Sequence, residues 1–340
     1  MNTVRAARTP IWEKQKSKKK RARIIRLAIF IVILFVLVNL VIKLPGVYKD
    51  LNTPFPQLPR TEERNFSVDV SFRTNILLVS FEDENRLVDT AIATYEPVDK
   101  KLSVVFFDLG ELKKLRIKTN NVFRNQGIDG LEQFVTSGLG VPIDGYLAFE
   151  DPTLRFDSKN TAAAVESMKS VVAPFKLISA KGDLNNTLKT DLTSGQLLKL
   201  VFVVRGANYS EDNNFSLTDR DTGNLQTEKI DDLIAGLFFD QKVLQEGAAI
   251  TIVNASQVIG VGSTLGRYLT NLGANVVGIE AQESVSKETR LIVQNEKPEV
   301  TKRLESILKF KKERARDEDQ FPGDIQIIIG RDEAEKLTLP

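Results

Sequence analysis

Residues 27–42 constrain this chain more than any other stretch. They include one polar residue, Asn39, and no charge, and Arg26 and Lys43 bracket them. With Ile24, Ile25 and Leu44 the run reaches roughly 20 residues, the length a helix needs to cross a ~30 Å hydrocarbon core. A buried helix of a water-soluble domain keeps a polar stripe, and this run is apolar all round. The sequence therefore predicts a single transmembrane helix over residues 24–44. Residues 1–26 carry ten Lys or Arg against one acid, Glu13. Positive flanks stay in the cytoplasm, so residues 1–23 read as a basic cytoplasmic tail and the rest of the chain as extracytoplasmic. A cleaved signal peptide would show a shorter apolar core and small residues at a cleavage site. Lys43-Leu44-Pro45-Gly46-Val47-Tyr48-Lys49 has no such pattern. A basic tail can also bind nucleic acid, but beside a membrane helix its charge is explained more simply by topology and anionic membrane lipid.

About 295 residues follow the run, enough for two domains of ordinary size. The chain carries a net +2. Without the tail and Lys43 the extracytoplasmic part is mildly acidic, about −8, which argues against a polyanion-binding surface. There is no cysteine and no histidine. That excludes disulfides, thiol nucleophiles, a Ser-His-Asp triad and imidazole-bound zinc. Any metal would be a hard cation on carboxylates, such as Mg²⁺.

Residues 45–66 hold Pro45, Pro54, Pro56 and Pro59 among polar neighbours and predict an extended tether. Strands are expected at 68–72, 76–81, 90–95 and 102–107, with Pro97-Val98-Asp99-Lys100 as a hairpin turn. A short helix at 130–138, a strand at 146–149 and helices at 161–172 and 197–204 complete an α/β or α+β domain over 67–205. Residues 206–229 are polar and 233–239 apolar, so 206–246 read as a linker with a short apolar segment. A second domain is expected over 247–340, with strands at 249–253, 275–279, 289–293 and 325–329 and helices at 263–272 and 300–309. This order suggests a small two-layer α/β sandwich. The charged run 311–319 reads as a solvated loop. Gly260-x-Gly262-x-x-x-Gly266 follows a strand and opens a helix, which invites a dinucleotide-binding reading. Its spacing is wrong for that motif, and close strand–helix packing explains the glycines more simply.

Several segments resemble the LytR-CpsA-Psr family of cell-envelope proteins followed by a LytR C-terminal domain. Asn75-Ile76-Leu77-Leu78-Val79, Val88-Asp89-Thr90-Ala91-Ile92 and the turn Pro97-Val98-Asp99-Lys100-Lys101 are similar to the family's first strands. Leu139-Gly140-Val141-Pro142-Ile143-Asp144-Gly145-Tyr146 resembles its L-G-I-P-I-D-Y-Y. Ile252-Val253-Asn254-Ala255-Ser256 and Ile327-Ile328-Ile329-Gly330-Arg331-Asp332 resemble the opening and close of the LytR C-terminal domain. The resemblance implies transfer of glycopolymers from a polyprenyl pyrophosphate carrier to peptidoglycan. It implies acids on Mg²⁺ and arginines on the pyrophosphate, as charge neutralisation in phosphoryl transfer requires.

The implied metal ligands are Glu82, Asp89 and Asp108, with Arg86 and Asp89 as catalytic residues and Lys118 on the pyrophosphate. The cation set is thin. Leu87 stands where the family's R-S-D-T motif has its arginine, and Arg86 is displaced by one position. No arginine precedes Asp108, and Arg155 is the only arginine between Glu150 and Leu197. Lys113, Lys114, Arg116 and Lys118 could substitute, although a solvated basic face explains them more simply. The sequence therefore favours a non-catalytic scaffold or binder of a polyprenyl-linked glycan, a cell-wall glycan or an envelope protein. Two alternatives stay open: an active Mg²⁺-dependent glycopolymer phosphotransferase, and an interaction module acting through the C-terminal domain.

Overall fold

The computed structural model describes residues 49, 51–60, 68–83, 86–107, 113–170, 173, 184, 186–217, 231, 236–308, 310–316 and 320–337. The chain divides into two compact units, Met1–Thr53 and Pro54–Pro340. In the first unit the Thr53 hydroxyl donates to the Lys49 carbonyl at 2.8 Å. The helix expected over 24–44 and its basic flank lie outside the described residues. Among the described residues no helix is long and apolar enough to cross a membrane.

The second unit is α/β and holds two mixed sheets. In the first, β1 (Thr74–Asp83), β2 (Arg86–Glu96) and β3 (Lys101–Phe107) form an antiparallel meander. The turn between β2 and β3 is Pro97-Val98-Asp99-Lys100, with Lys100 left-handed at φ 51°. Glu96 Oε2 accepts from Asp99 N at 2.8 Å and holds the turn. β4 (Gly145–Glu150) runs parallel to β1, and β5 (Leu188–Thr190) pairs antiparallel with β4. β6 (Asn208–Tyr209) and β7 (Phe215–Leu217) both run parallel to β3.

These last two strands come from the polar stretch expected as a linker. Short edge strands need backbone groups more than apolar side chains, and here the asparagines help. Asn208 N donates to the Lys100 carbonyl at 2.7 Å, and Asn214 Oδ1 accepts from Val104 N at 3.1 Å. The strand expected at 68–72 is a turn instead, where Asp69 Oδ1 accepts from Ser71 N and the Asp69 carbonyl from Phe72 N.

The main core lies on one face of this sheet. Leu77, Val79, Phe81, Ile92, Val105 and Phe107 point to it at the two-residue period of a strand. Against them lies α1 (Lys113–Leu139), far longer than the short helix expected at 130–138. Gly127 breaks its helical path at φ 63°, ψ −146°, a conformation open chiefly to glycine. Past the break, Ile128, Leu131, Phe134, Val135 and Leu139 bury one stripe. Each such side chain contributes about 1.5–3 kcal/mol.

The other face carries α2 (Ser158–Lys169) and α3 (Ser194–Gly206). Asp157 caps α2 by accepting from Asn160 N. Thr193 and Gln196 form a reciprocal capping box on α3.

Residues 54–60, expected as part of a free tether, lie on this first domain. Pro54 bridges Thr193, the Pro56 carbonyl accepts from Thr190 N at 2.9 Å, and Leu58 N donates to the Tyr146 hydroxyl at 2.9 Å. Phe55 and Leu58 are buried. The prolines fit an extended spacer equally well, and these two apolar side chains make the difference.

The second sheet has the order β11-β10-β12-β8-β9. Its elements are α4 (Gln241–Glu246), β8 (Ala249–Asn254), α5 (Val261–Leu272), β9 (Asn275–Ala281), β10 (Arg290–Val293), α6 (Pro298–Leu308), β11 (Lys311–Arg314), β12 (Ile325–Ile329) and α7 (Arg331–Leu337). β11 comes from the charged run expected as a loop and pairs parallel with β10 at the sheet edge. Gly273 ends α5 in the left-handed conformation, φ 99°. Gly262 and Gly266 let β9 approach α5. A Cβ at Gly266 would sit 2.7 Å from Ile279 Cδ1, and one at Gly262 would sit 3.0 Å from its Cγ2.

Arginines join the two sheets. Arg303 of α6 is buried and binds Asp144 through two hydrogen bonds, Nη1 to Oδ1 at 2.7 Å and Nη2 to Oδ2 at 3.1 Å. Its Nη2 also donates to the Arg73 carbonyl at 2.7 Å. Arg73 donates to the Phe239 and Leu237 carbonyls, and its backbone N donates to Asp240 Oδ2. Burial pulls Arg73 down to about 10. Arg267 of α5 holds Asp231 at 2.6 Å and donates to the Ser137 and Gly138 carbonyls at the end of α1.

Candidate functional site

Of the residues singled out by the sequence, Glu82, Arg86 and Asp89 lie toward one end of the first sheet. β1 ends there, β2 begins there, and Phe107 at the end of β3 pairs with Thr90. Glu82 and Arg86 flank the β1–β2 turn and pair with each other as an exposed ion pair. Asp89 is buried on β2, opposite Ser80. Its Oδ1 accepts from Thr90 N at 2.9 Å and its Oδ2 from Phe156 N at 2.8 Å. Ser80 Oγ donates to the Asp151 carbonyl at 2.7 Å. These two side chains thus fasten the loop 151–157 over the end of the sheet. Asp151 Oδ1 in turn accepts from Thr153 N and Oγ1, which holds its carboxyl below the usual range.

Asp108 lies outside the described residues. Lys113, Lys114, Arg116 and Lys118 fall in the first turns of α1. Among the described residues no three acidic side chains come together in a way that could hold a metal ion. Of the three acids that the resemblance puts on Mg²⁺, Glu82 and Asp89 are among the described residues. Both Asp89 oxygens face backbone N–H groups, and Glu82 faces a cation. Arg155 is exposed, and its Nη1 donates to the Pro152 and Leu154 carbonyls within its own loop. On the core face of the same sheet end, Lys189 lies 3.6 Å from Glu150 and 5.4 Å from the Phe81 ring centre.

Behind Asp89 an apolar strip of small and part-exposed side chains, here called the furrow, runs along the face of the sheet that carries α2 and α3. Register places Phe106, Ala91, Leu78 and Leu147 in one row across four strands, with Val104, Ala93 and Ile76 in the next row. The central strand, β2, supplies only alanine to both rows, so the side chains are smallest there. Leu78, Ala93, Leu147 and Phe149 stay half-buried in the middle of the sheet. The apolar contacts on this face fall into several small clusters that share Leu78 and Leu147, whereas the other face carries one large core. Phe156, fastened through its backbone by Asp89, packs against Ala91 and Phe106 at the furrow's end.

A second polar group escaped the sequence reading altogether. Arg60 is buried among three carboxylates: Glu132 at 2.8 Å, Asp191 at 3.4 Å and Asp129 at 3.5 Å. Its guanidinium also lies 5.0 Å from the Tyr146 ring centre. Tyr146 N donates to Asp191 Oδ1 at 3.0 Å. Burial, with Glu132 adding repulsion, pushes Asp191 up to about 7, and burial pushes the Tyr146 phenol up to about 12. The group pins the segment 54–60 to α1, β4 and β5. No motif signals it, because its members come from four separate stretches of sequence.

Comparison with known proteins assigns the C-terminal part. Residues 247–332 match the family described as LytR cell envelope-related transcriptional attenuator, so this stretch is similar to a LytR C-terminal domain. No curated protein matches the sequence. Solved structures overlap the chain more loosely. TagV of B. subtilis is 15% identical, covers 43% of this chain and 84% of its own, and gives a TM-score of 0.33. A transcriptional regulator from Enterococcus faecalis is 11% identical, covers 62% and 92%, and gives 0.32. The LytR-CPS2A-psr family protein YwtF (TagT), solved with bound octaprenyl pyrophosphate lipid, is 14% identical, covers 54% and 98%, and gives 0.29.

Proposed function

We propose that this chain is a membrane-anchored cell-envelope protein whose first domain binds the isoprenoid of a lipid-linked glycan outside the membrane without transferring the glycan. The apolar run over residues 24–44 anchors it, with the basic tail inside. The half-open furrow along β2 carries the reading. A closed domain buries the middle of a sheet face completely, whereas Leu78, Ala93, Leu147 and Phe149 keep apolar surface accessible there. A long, flexible apolar chain with a methyl branch on each isoprene unit suits a narrow strip of this kind. The LytR C-terminal domain at 247–332 supports a place in the envelope.

The state of the charged groups favours binding over transfer. Phosphoryl transfer needs cations aimed at the transferring group. Arg86 pairs with Glu82, and Asp89 gives one oxygen to Thr90 N on its own strand and the other to Phe156 N of the loop 151–157. Asp89 here is a positioning residue that closes one end of the furrow.

The test uses the full chain in neutral detergent with a fluorescent polyprenyl phosphate as probe. Binding should be saturable, and Ala93→Phe, which fills the furrow, should weaken it at least tenfold while leaving the unfolding temperature near that of the parent. Equal binding by the filled variant would remove the furrow from the account. Mg²⁺-dependent release of polyprenyl phosphate from a pyrophosphate-linked glycan donor would instead establish the chain as a transferase.

A further inference from the structure

β9 is an edge strand. It pairs with β8 and with no other strand among the described residues. Such an edge offers backbone N–H and C=O groups to any strand laid beside it, and native proteins usually blunt it with Pro, Lys, a β-bulge or a charge turned inward. β9 has a register shift at Val277, between the pairs Ile250–Val276 and Thr251–Gly278, and past it the pairing is regular from Gly278 to Ala281. β9 reads Asn275-Val276-Val277-Gly278-Ile279-Glu280-Ala281 and contains neither Pro nor Lys. No Lys or Arg occurs between Arg267 and Lys287.

The edge is also apolar. Val277 and Ile279 are each 48% exposed. At the C-terminal end of β8 and β9, Ile259 is 98% exposed and Val285 is 40% exposed. They sit in two loops tied together by Gln257 Nε2, which donates to the Glu283 carbonyl at 3.3 Å. Gln257 is held at φ 66°, a left-handed conformation that non-glycine residues seldom adopt. Such outliers persist where the surroundings enforce them, and they cluster at sites that bind.

Charge selects the occupant. Glu280 and Glu283 are exposed beside this edge, and among the described residues neither makes an ion pair. A second copy of the chain would bring one acidic edge against another. An anionic bilayer would repel it equally.

We propose that the outer edge of β9 is a docking strand for an extended peptide segment of another protein, about 5–7 residues long, with basic and apolar side chains alternating. Main-chain pairing along β9 holds the segment, its apolar residues cover Val277 and Ile279, and its cations meet Glu280 and Glu283. This surface belongs to the C-terminal domain and stands independently of the furrow.

The probe is a fluorescein-labelled peptide of alternating lysine and valine, seven residues long, titrated into the full chain in neutral detergent. Anisotropy should show saturable binding that weakens with added salt, and hydrogen exchange should slow within residues 275–281. The same peptide with glutamate for lysine should bind at least tenfold more weakly. Glu280→Lys combined with Glu283→Lys should reverse that preference. Val277→Lys, a change at an exposed position, should weaken binding at least tenfold without altering the unfolding temperature. Lack of binding, equal binding of the two peptides, or protection confined to another strand would overturn the proposal. So would a concentration-dependent dimer in sedimentation that Val277→Lys dissociates, since the edge would then serve a second copy.

Discussion

The Arg303 guanidinium lies flat against the Asp144 carboxylate, with both charges almost wholly removed from water. Asp144 Oδ2 also accepts from Asn75 N at 2.8 Å, and Arg303 Nη2 reaches the Arg73 carbonyl. One helix of the C-terminal domain thus completes the hydrogen bonding of a loop in the first. Removing one partner of such a pair leaves the other charged and buried. Arg303→Met should cost about 3–5 kcal/mol, and adding Asp144→Leu should recover part of that loss. Urea unfolding of both variants measures the difference, and a double variant no more stable than Arg303→Met would contradict it.

Asp191 makes stability depend on pH with an unusual sign. Its folded pKa is about 7, against roughly 3.9 in an unfolded chain. Stability from its protonated form is fully present below about pH 4 and is lost progressively as pH rises to about 7 and beyond. Asp191→Asn keeps an acceptor for Tyr146 N and removes the charge. Its urea midpoint should exceed that of the parent at pH 8 by an amount worth a few kcal/mol, and the gap should narrow toward pH 5. A gap that widens on acidification would show that Asp191 is ionised in the folded chain at low pH.

Gly330 packs against backbone. A Cβ there would lie 2.5 Å from the Glu288 carbonyl carbon and 2.8 Å from Thr289 N. Neither atom can swing aside as a side-chain tip would. Gly330→Ala should destabilise by about 1–3 kcal/mol. At Gly266 the close atom is the end of the half-exposed Ile279 side chain, so Gly266→Ala should cost less. Thermal unfolding of the two variants gives the order.

Asp89 separates a fastening role from a chemical one. Asp89→Ala leaves Phe156 N without its acceptor, at about 1–3 kcal/mol, and should loosen the loop 151–157. Hydrogen exchange should quicken at Phe156. Asp89→Asn keeps an acceptor oxygen and should retain polyprenyl phosphate binding within about twofold. A large loss of binding with Asn and an unchanged exchange rate at Phe156 would point to the charge itself.

Strands β1 to β4 were legible because both their faces are apolar and the β2–β3 turn carries Pro, Asp and Lys in order. The first half of α1 was not. Lys113–Gln126 is rich in polar and basic residues, and of the side chains described within it Val122 and Phe123 belong to the core. Periodicity becomes clear only past Gly127. β11 was hidden for a related reason: an edge strand of Lys and Arg satisfies its pairing through the backbone, which composition does not record. At the candidate site the sequence drew attention to Asp89 through the residues around it. It could not say that both carboxylate oxygens face N–H groups of the chain. Arg303 stands between Lys302 and Leu304 on a helix with charges on most turns, and nothing local marks it as the buried one. The same holds for Arg60, whose partners lie up to 131 positions away.

The Arg303–Asp144 pair also orders events during synthesis. Asp144 leaves the ribosome 159 residues before the arginine that neutralises it. At about 5–20 residues per second, the first domain spends several seconds or more with a charged, half-finished seam. Even once its own residues through β7 are made, this seam stays open until α6 is translated. A nascent chain stalled before residue 303 should therefore expose the Phe72–Asp144 side to proteases and chaperones. The domain that folds last would act as the release signal for the one made first.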